Sequence, residues 1–291
     1  MSVDLQSIYD VRRTLGVRTE LVRQFRRRRT LIVALLTVAL PTIVVLAVKF
    51  GPSSSGSGGG GGGGFGNGSL DLVGLATSGA WNFTLTMMFF ASGFLLTIFA
   101  AMFLGDAIAS EASWSTLRYL LVAPVPRRRL MRTKIIVGLL LVGGVLLLLL
   151  ASSLLIGLIA FGGAPLSSPL GGVLTTGESA ARLAVIAGYI LLTLLVPAGV
   201  AFVLSVVTDV PLGAVGGAVV IVIVLNILGA IEALGSIRRL LPTEYSDAWT
   251  AALAPQITWG DMAIGASYSV VLFAVLVSVA VLRFDRKDIL S

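Results

Sequence analysis

The amino-acid sequence predicts an all-α polytopic membrane protein with six transmembrane helices, and three observations predict it. Six runs of roughly 18 residues or more are nearly free of charge, each long enough to cross about 30 Å of hydrocarbon. Charged residues make up only 12% of the 291 positions and the mean hydropathy is +1.00, against the roughly 25% charged that soluble domains carry. Lysine and arginine gather at alternate ends of the runs rather than along them.

Composition also excludes chemistry. The chain has no Cys and no His, so disulfides, thiol catalysis, zinc sites of Cys and His, and imidazole bases are ruled out. The formal charge of +7 could suggest nucleic acid if read alone. The cations lie at membrane edges, so no nucleic acid is expected and the lipid bilayer is the first partner.

Taken in order, residues 1–30 read as a cytoplasmic amphipathic helix. Ile8, Val11, Leu15, Val22 and Phe25 recur at three, four or seven residues with Arg12, Arg13, Arg18 and Arg23 between them, the pattern of a helix lying on a membrane surface. Arg26, Arg27, Arg28 and Arg29 follow as a block before the first span, Leu31 to about Val48. A cleaved signal peptide fits less well, because the basic region starts too far in and the apolar run is too long. Residues 31–291 form the membrane domain. Within it, residues 51–69 are a Pro, Ser and Gly tract with Gly58 to Gly64 in unbroken series, a composition that reads as a flexible outer loop.

The second span is expected over Asn82–Phe103, opened by Trp81 at an interfacial position. A charged stretch, 106–134, separates it from the third span, Ile135–Phe161, whose length of about 40 Å requires tilt or projection. The fourth span, about Leu183 to Val207, contains Pro197 and Gly199 and should kink. A short turn, Thr208–Val210, leads to a fifth span from Pro211 to about Leu234, in which Gly213 and Gly217 form a G-x-x-x-G suited to close helix packing. Residues 235–261 are an amphipathic, aromatic outer segment, and the sixth span, Ala263–Leu282, ends in a polar cytoplasmic tail, 283–291.

Six spans put both termini on one side. Seventeen of the 21 cations fall on the terminal side and only Lys49, Arg182, Arg238 and Arg239 on the other, which orients the termini to the cytoplasm. Arg26–Arg29, Arg127, Arg128 and Arg129 are therefore the orientation anchors. Residues 106–134 become a cytoplasmic segment: a partly apolar helix from Asp106 to about Leu121 carrying Glu111, stopped by Pro124 and Pro126.

Glu111, Ser115-Thr116-Leu117, Leu121, Pro124-Val125-Pro126-Arg127 and Lys134 resemble, in order and spacing, the E-x-x-x-G-T-L, L-x-x-P-x-S-R and following K pattern of the permease subunits of type-2 ATP-binding-cassette (ABC-2) exporters. Ser115 stands where that family usually has Gly, and Pro126 where it often has Ser. The Phe284-Asp285-Arg286-Lys287-Asp288-Ile289 tail and the order of elements are similar too. The resemblance implies that 106–121 is a coupling helix pressed against a separate ABC-type ATPase. It assigns that contact to Glu111, Thr116, Leu117, Arg118 and Leu121. It further implies two ATPase copies, a second permease subunit that is the same or similar, and the plasma membrane of a prokaryote. On that reading Glu111→Arg should uncouple transport from ATP hydrolysis while leaving insertion intact.

The chain should not be an enzyme by itself. A P-loop needs Gly-Lys-[Ser/Thr], and Lys49, Lys134 and Lys287 follow Val, Thr and Arg. ATP and Mg²⁺ are thus expected on the partner ATPase, with no metal and no cofactor here. For a substrate path, Asn226 in the fifth span and Phe89, Phe90 and Phe94 in the second are the candidates, since in the family those spans line the route between subunits. The scarcity of charge favours an apolar or amphipathic cargo. An ATPase-independent channel or secondary carrier is the competing reading, weakened by the lack of buried ionisable residues within the spans. An intramembrane enzyme has almost no catalytic groups to draw on, and a membrane scaffold or sensor would need no translocation path.

Overall fold

The computed structural model describes residues 16–50, 72–113, 127–167, 172 and 174–286. Six helices are long and apolar enough to cross a membrane, and no strand occurs among the described residues. The chain is an all-α, multi-pass membrane protein.

The lead-in helix α1 spans Val17–Phe25, and after a two-residue break the first span α2 runs Arg28–Phe50. It thus starts three residues before the apolar run, taking Arg28 and Arg29 into the helix. A short α3, Leu72–Thr77, precedes the second span, which is α4 (Ala80–Phe90), a π-helical turn (Ala91–Leu95) and α5 (Leu96–Ser113) in series. The third, α6, covers Arg127–Phe161. At 1.5 Å per residue that is roughly 52 Å, longer than a bilayer core, so it projects, as its sequence length requires. The fourth divides into α7 (Thr176–Thr193) and α8 (Leu195–Val207), the fifth is α9 (Pro211–Ala230) and the sixth is α10 (Gly260–Asp285).

Where spans depart from the hydropathy, local chemistry explains it. The fourth begins at Thr176 rather than near Leu183, because Thr175 and Glu178 form a reciprocal capping box, with Thr175 N–H donating to Glu178 Oε2 at 2.9 Å. Its interruption at Leu194 lies beside Thr193, whose carbonyl is the one that Pro197 cannot serve. The fifth ends at Ala230, short of Leu234, where Ile231 turns to extended backbone. Residues 235–261, expected as an amphipathic outer segment, form no single continuous helix. They include parts of two 3₁₀ helices, Glu232–Leu240 and Ala248–Leu253. The tail expected at Arg283 is helical through Asp285.

Burial divides the spans into two groups. About half of the most apolar window is buried in the second, third and fourth (56, 50 and 56%), against 17% in each of the first, fifth and sixth. The middle three form the core and the others clad it, with α5 against α8 and α8 against α10 as the broadest contacts. Tight crossings use glycine: a Cβ on Gly105 would lie 3.0 Å from Val215, and one on Gly217 3.1 Å from Leu204. Gly217 therefore fulfils the close-packing expectation, whereas Gly213 faces only its own turn at Thr208 and Val210.

Candidate functional site

One end of the bundle collects the starts of α2 and α6 and the end of α10, which carry arginine, together with α1 and the ends of α5 and α8. It is called the basic end below. Four ionisable side chains meet inside it. Lys134 Nζ, on the first turns of α6, donates to Glu20 Oε1 of α1 at 2.9 Å and to Glu111 Oε1 of α5. Arg23 of α1 closes the ring, 2.8 Å from Glu20 and 2.9 Å from Glu111. Lys134, Glu111 and Glu20 are 3, 4 and 5% exposed. Two acids and two bases are charge-balanced, which is the condition under which ions tolerate removal from water.

A second layer extends the network. Gln24 donates to Glu20 at 3.1 Å and accepts from Arg29 at 2.7 Å. Asp106, one and a half turns before Glu111 on α5, pairs with Arg29 and, at 3.4 Å, with Arg27. Between the two acids, Ile108 N–H and Ala109 N–H both donate to Ser205 Oγ of α8, at 2.9 and 3.0 Å. Four helices, α1, α2, α5 and α6, are thereby joined through charge, and α8 is tied in by a hydroxyl.

The electrostatics follow the contacts. Burial alone would raise the Glu20 carboxyl, but Lys134 and Arg23 override it and hold its pKa at about 2. Burial works to lower the Arg23 guanidinium, and the hydrogen bonds and charges of Glu20 and Glu111 raise it on balance. Arg27 is pressed down by burial and by its neighbour Arg23.

The lead-in helix shows why these residues meet. Its polar positions, Glu20 and Gln24, are buried against the bundle, while Val22 and Phe25 are exposed. Here Val22 and Phe25 are free to lie on lipid, and Glu20 and Gln24 turn inward to Lys134 beside the part-buried Val17 and Leu21.

Of the predicted coupling residues, the structure describes only Glu111. Thr116, Leu117, Arg118 and Leu121 fall in 114–126, outside the described residues. Residues 106–113 are not a separate cytoplasmic helix but the continuation of the second span, and Glu111 is a buried cluster member rather than a solvated acid. An arginine at position 111 would place a third cation beside Lys134 and Arg23, so that substitution disturbs packing as well as any coupling. Among the anchors, Arg27 and Arg29 are engaged with Asp106, and Arg128 lies 3.5 Å from Asp285. Arg26 and Arg28 are exposed, and Arg127 and Arg129 stand on the first turn of α6.

The predicted path residues do not converge within one chain. Phe89 packs edge-on against Trp249, ring centroids 5.9 Å apart. Phe90 and Phe94 are 52 and 56% exposed, Phe90 just before the π turn and Phe94 within it. Asn226 is exposed and its amide donates to Val222 O of its own helix at 3.0 Å.

The partners of Lys134 were not predicted. Glu20 is 114 residues away and Ser205 is 97 from Ile108; the one sequence signal was an acid and an amide, Glu20 and Gln24, on consecutive turns of a helix otherwise read as basic.

Residues 65–290 match the model of a family described as "Protein of unknown function (DUF2705)". The match covers well over half of the chain, which belongs to that family. It includes Glu111, Lys134 and Asp106 but begins after Glu20 and Arg23. No curated protein matches the chain.

Proposed function

We propose that this DUF2705 member is the membrane-spanning permease subunit of an ATP-driven exporter, with its basic end facing the cytoplasm and a separate ATPase docked there. The supporting observation is the charge cluster. The described α5 ends at Ser113 and α6 begins at Arg127, and the last buried acid before that gap is bonded to the first buried base after it. A push on residues 114–126 would act on Glu111 and Lys134 together, and through Glu20 and Arg23 on α1.

On this reading Thr116, Leu117, Arg118 and Leu121 make the contact with the ATPase, and Glu111 positions the end of α5 that leads to them. ATP and Mg²⁺ belong to the partner. Closure of two ATPase copies would drive the core helices between inward-open and outward-open arrangements in a pair of permease chains. The path for an apolar or amphipathic cargo would run between those chains, where the exposed Phe90, Phe94 and Asn226 would lie. The charged groups of the described spans sit at helix ends, which favours this machine over an ion-coupled carrier.

Purifying the tagged full chain from its native membrane in mild detergent tests the reading. Retention of an ATPase, with ATP hydrolysis in the eluate, is expected. A stable preparation with neither overturns it.

A further inference from the structure

We propose that the cleft between the basic ends of α8 and α10 binds a phospholipid with an anionic headgroup, held by Arg283 and Arg286. The cleft is about 510 Å³, and its lining is Val206, Val207, Val279, Leu282, Arg283 and Arg286. The two cations and the four aliphatic residues are segregated. Val279 and Leu282 lie along the last turns of α10, Val206 and Val207 end α8, and the arginines stand beyond them at the helix mouth.

Spacing makes the headgroup end cationic. Arg283 and Arg286 are three residues apart and so share a helix face, and both are exposed. The residues between them point elsewhere: Phe284 is fully buried, and Asp285 lies 3.5 Å from Arg128 on α6. Among the described residues, none of those lining the cleft is an acid. Guanidinium groups match phosphate oxygens in geometry as well as charge.

The wall selects a lipid over a free anion. Val207, Val279 and Leu282 are exposed large aliphatics, continuous with the membrane-facing surface of α10. A dissolved phosphate would use only the rim, whereas an acyl chain covers the wall. A zwitterionic headgroup would bring its own amine against two arginines, so an anionic one is preferred. The inference is independent of whether the chain exports anything.

Native mass spectrometry of the full chain released from nanodiscs of phosphatidylcholine with phosphatidylglycerol tests this. The wild type should retain phosphatidylglycerol above its bulk share. At about 1 kcal/mol per basic residue near the headgroups, the double variant Arg283→Gln, Arg286→Gln should lose up to about 30-fold in relative affinity. Arg26→Gln, Arg28→Gln removes the same charge from exposed positions at the same end and should change little. Val279→Asn, Leu282→Asn keeps the charge and should also lower retention. Equal losses in the two arginine pairs would show general surface attraction and overturn the site. So would unchanged retention in the Arg283, Arg286 variant, or full displacement of the lipid by millimolar inorganic phosphate.

Discussion

The two ends of the bundle are closed by different chemistry. At the basic end, side chains bond side chains: Lys134 and Arg23 to Glu20 and Glu111, Arg27 and Arg29 to Asp106. At the far end, apart from pairs such as Arg238 with Glu244, most side chains bond backbone. Arg182 donates to the carbonyls of Ala252 at 2.8 Å, Ala254, and Pro255 at 3.1 Å, capping the 3₁₀ helix Ala248–Leu253. Tyr189 donates to Tyr245 O at 2.5 Å and Tyr268 to Leu240 O at 2.6 Å. A charge cluster is specific and all-or-none, since each ion depends on its counter-ion. Carbonyl stitching is separable bond by bond. A junction that must move as one body is better served by the first, and a cover laid over helix ends by the second.

The largest effect should come from breaking the cluster on one side. Lys134→Met leaves Glu20 and Glu111 buried together with only Arg23 between them, and loss of one partner from a buried ion pair costs about 3–5 kcal/mol. The thermal midpoint in detergent should fall by an amount that Glu111→Gln in the same chain partly restores. The half-exposed pair Arg238 and Glu244, 3.2 Å apart, gives the contrast: Arg238→Gln should cost less than about 1 kcal/mol. Equal costs at the two pairs would remove the distinction between the ends.

This difference also marks what the sequence could reveal. The six spans were legible because a bilayer imposes length and apolarity on each run by itself. Span ends were legible only where the signal is local: the Thr175 and Glu178 box is written within four residues, and Pro197 within the helix it interrupts. The second span was cut short at Phe103 because Asp106 and Glu111 look like water-facing acids. What keeps them in the helix is Arg29, Lys134 and Arg23, brought together by folding from three separate segments. The inward turn of α1 was hidden for the same reason: its polar face is buried only because Lys134 awaits it. Phe90, Phe94 and Asn226 are surface positions of a single chain, so their use depends on a neighbour that one sequence does not describe.

A smaller loss should follow at the far end. Arg182→Leu removes three bonds to carbonyls but leaves those carbonyls near the helix ends, where water can reach Pro255, so a cost of about 1–3 kcal/mol is expected. Hydrogen exchange should quicken over 248–255 and stay unchanged in α1. Faster exchange at both ends would mean that the two closures are one cooperative unit.

Acid should separate the ends without any substitution, and by the smallest margin. The folded pKa of Glu20, about 2, lies below its ordinary 4.5. A depressed carboxyl stabilises the fold fully above 4.5 and loses that contribution as pH falls from 4.5 through 2. Over that window exchange in α1 should rise progressively, and Glu20→Gln should flatten the dependence. The carbonyl acceptors of Arg182, Tyr189 and Tyr268 take up no proton there. Protonation of Asp247 relieves a carboxyl whose pKa burial raises, and the pair Arg238 and Glu244 is a weak, half-exposed one, so protection over 240–255 should not fall. If α1 and 240–255 loosened together on acidification, the cause would be global unfolding and the charge cluster would lose its claim to hold the basic end.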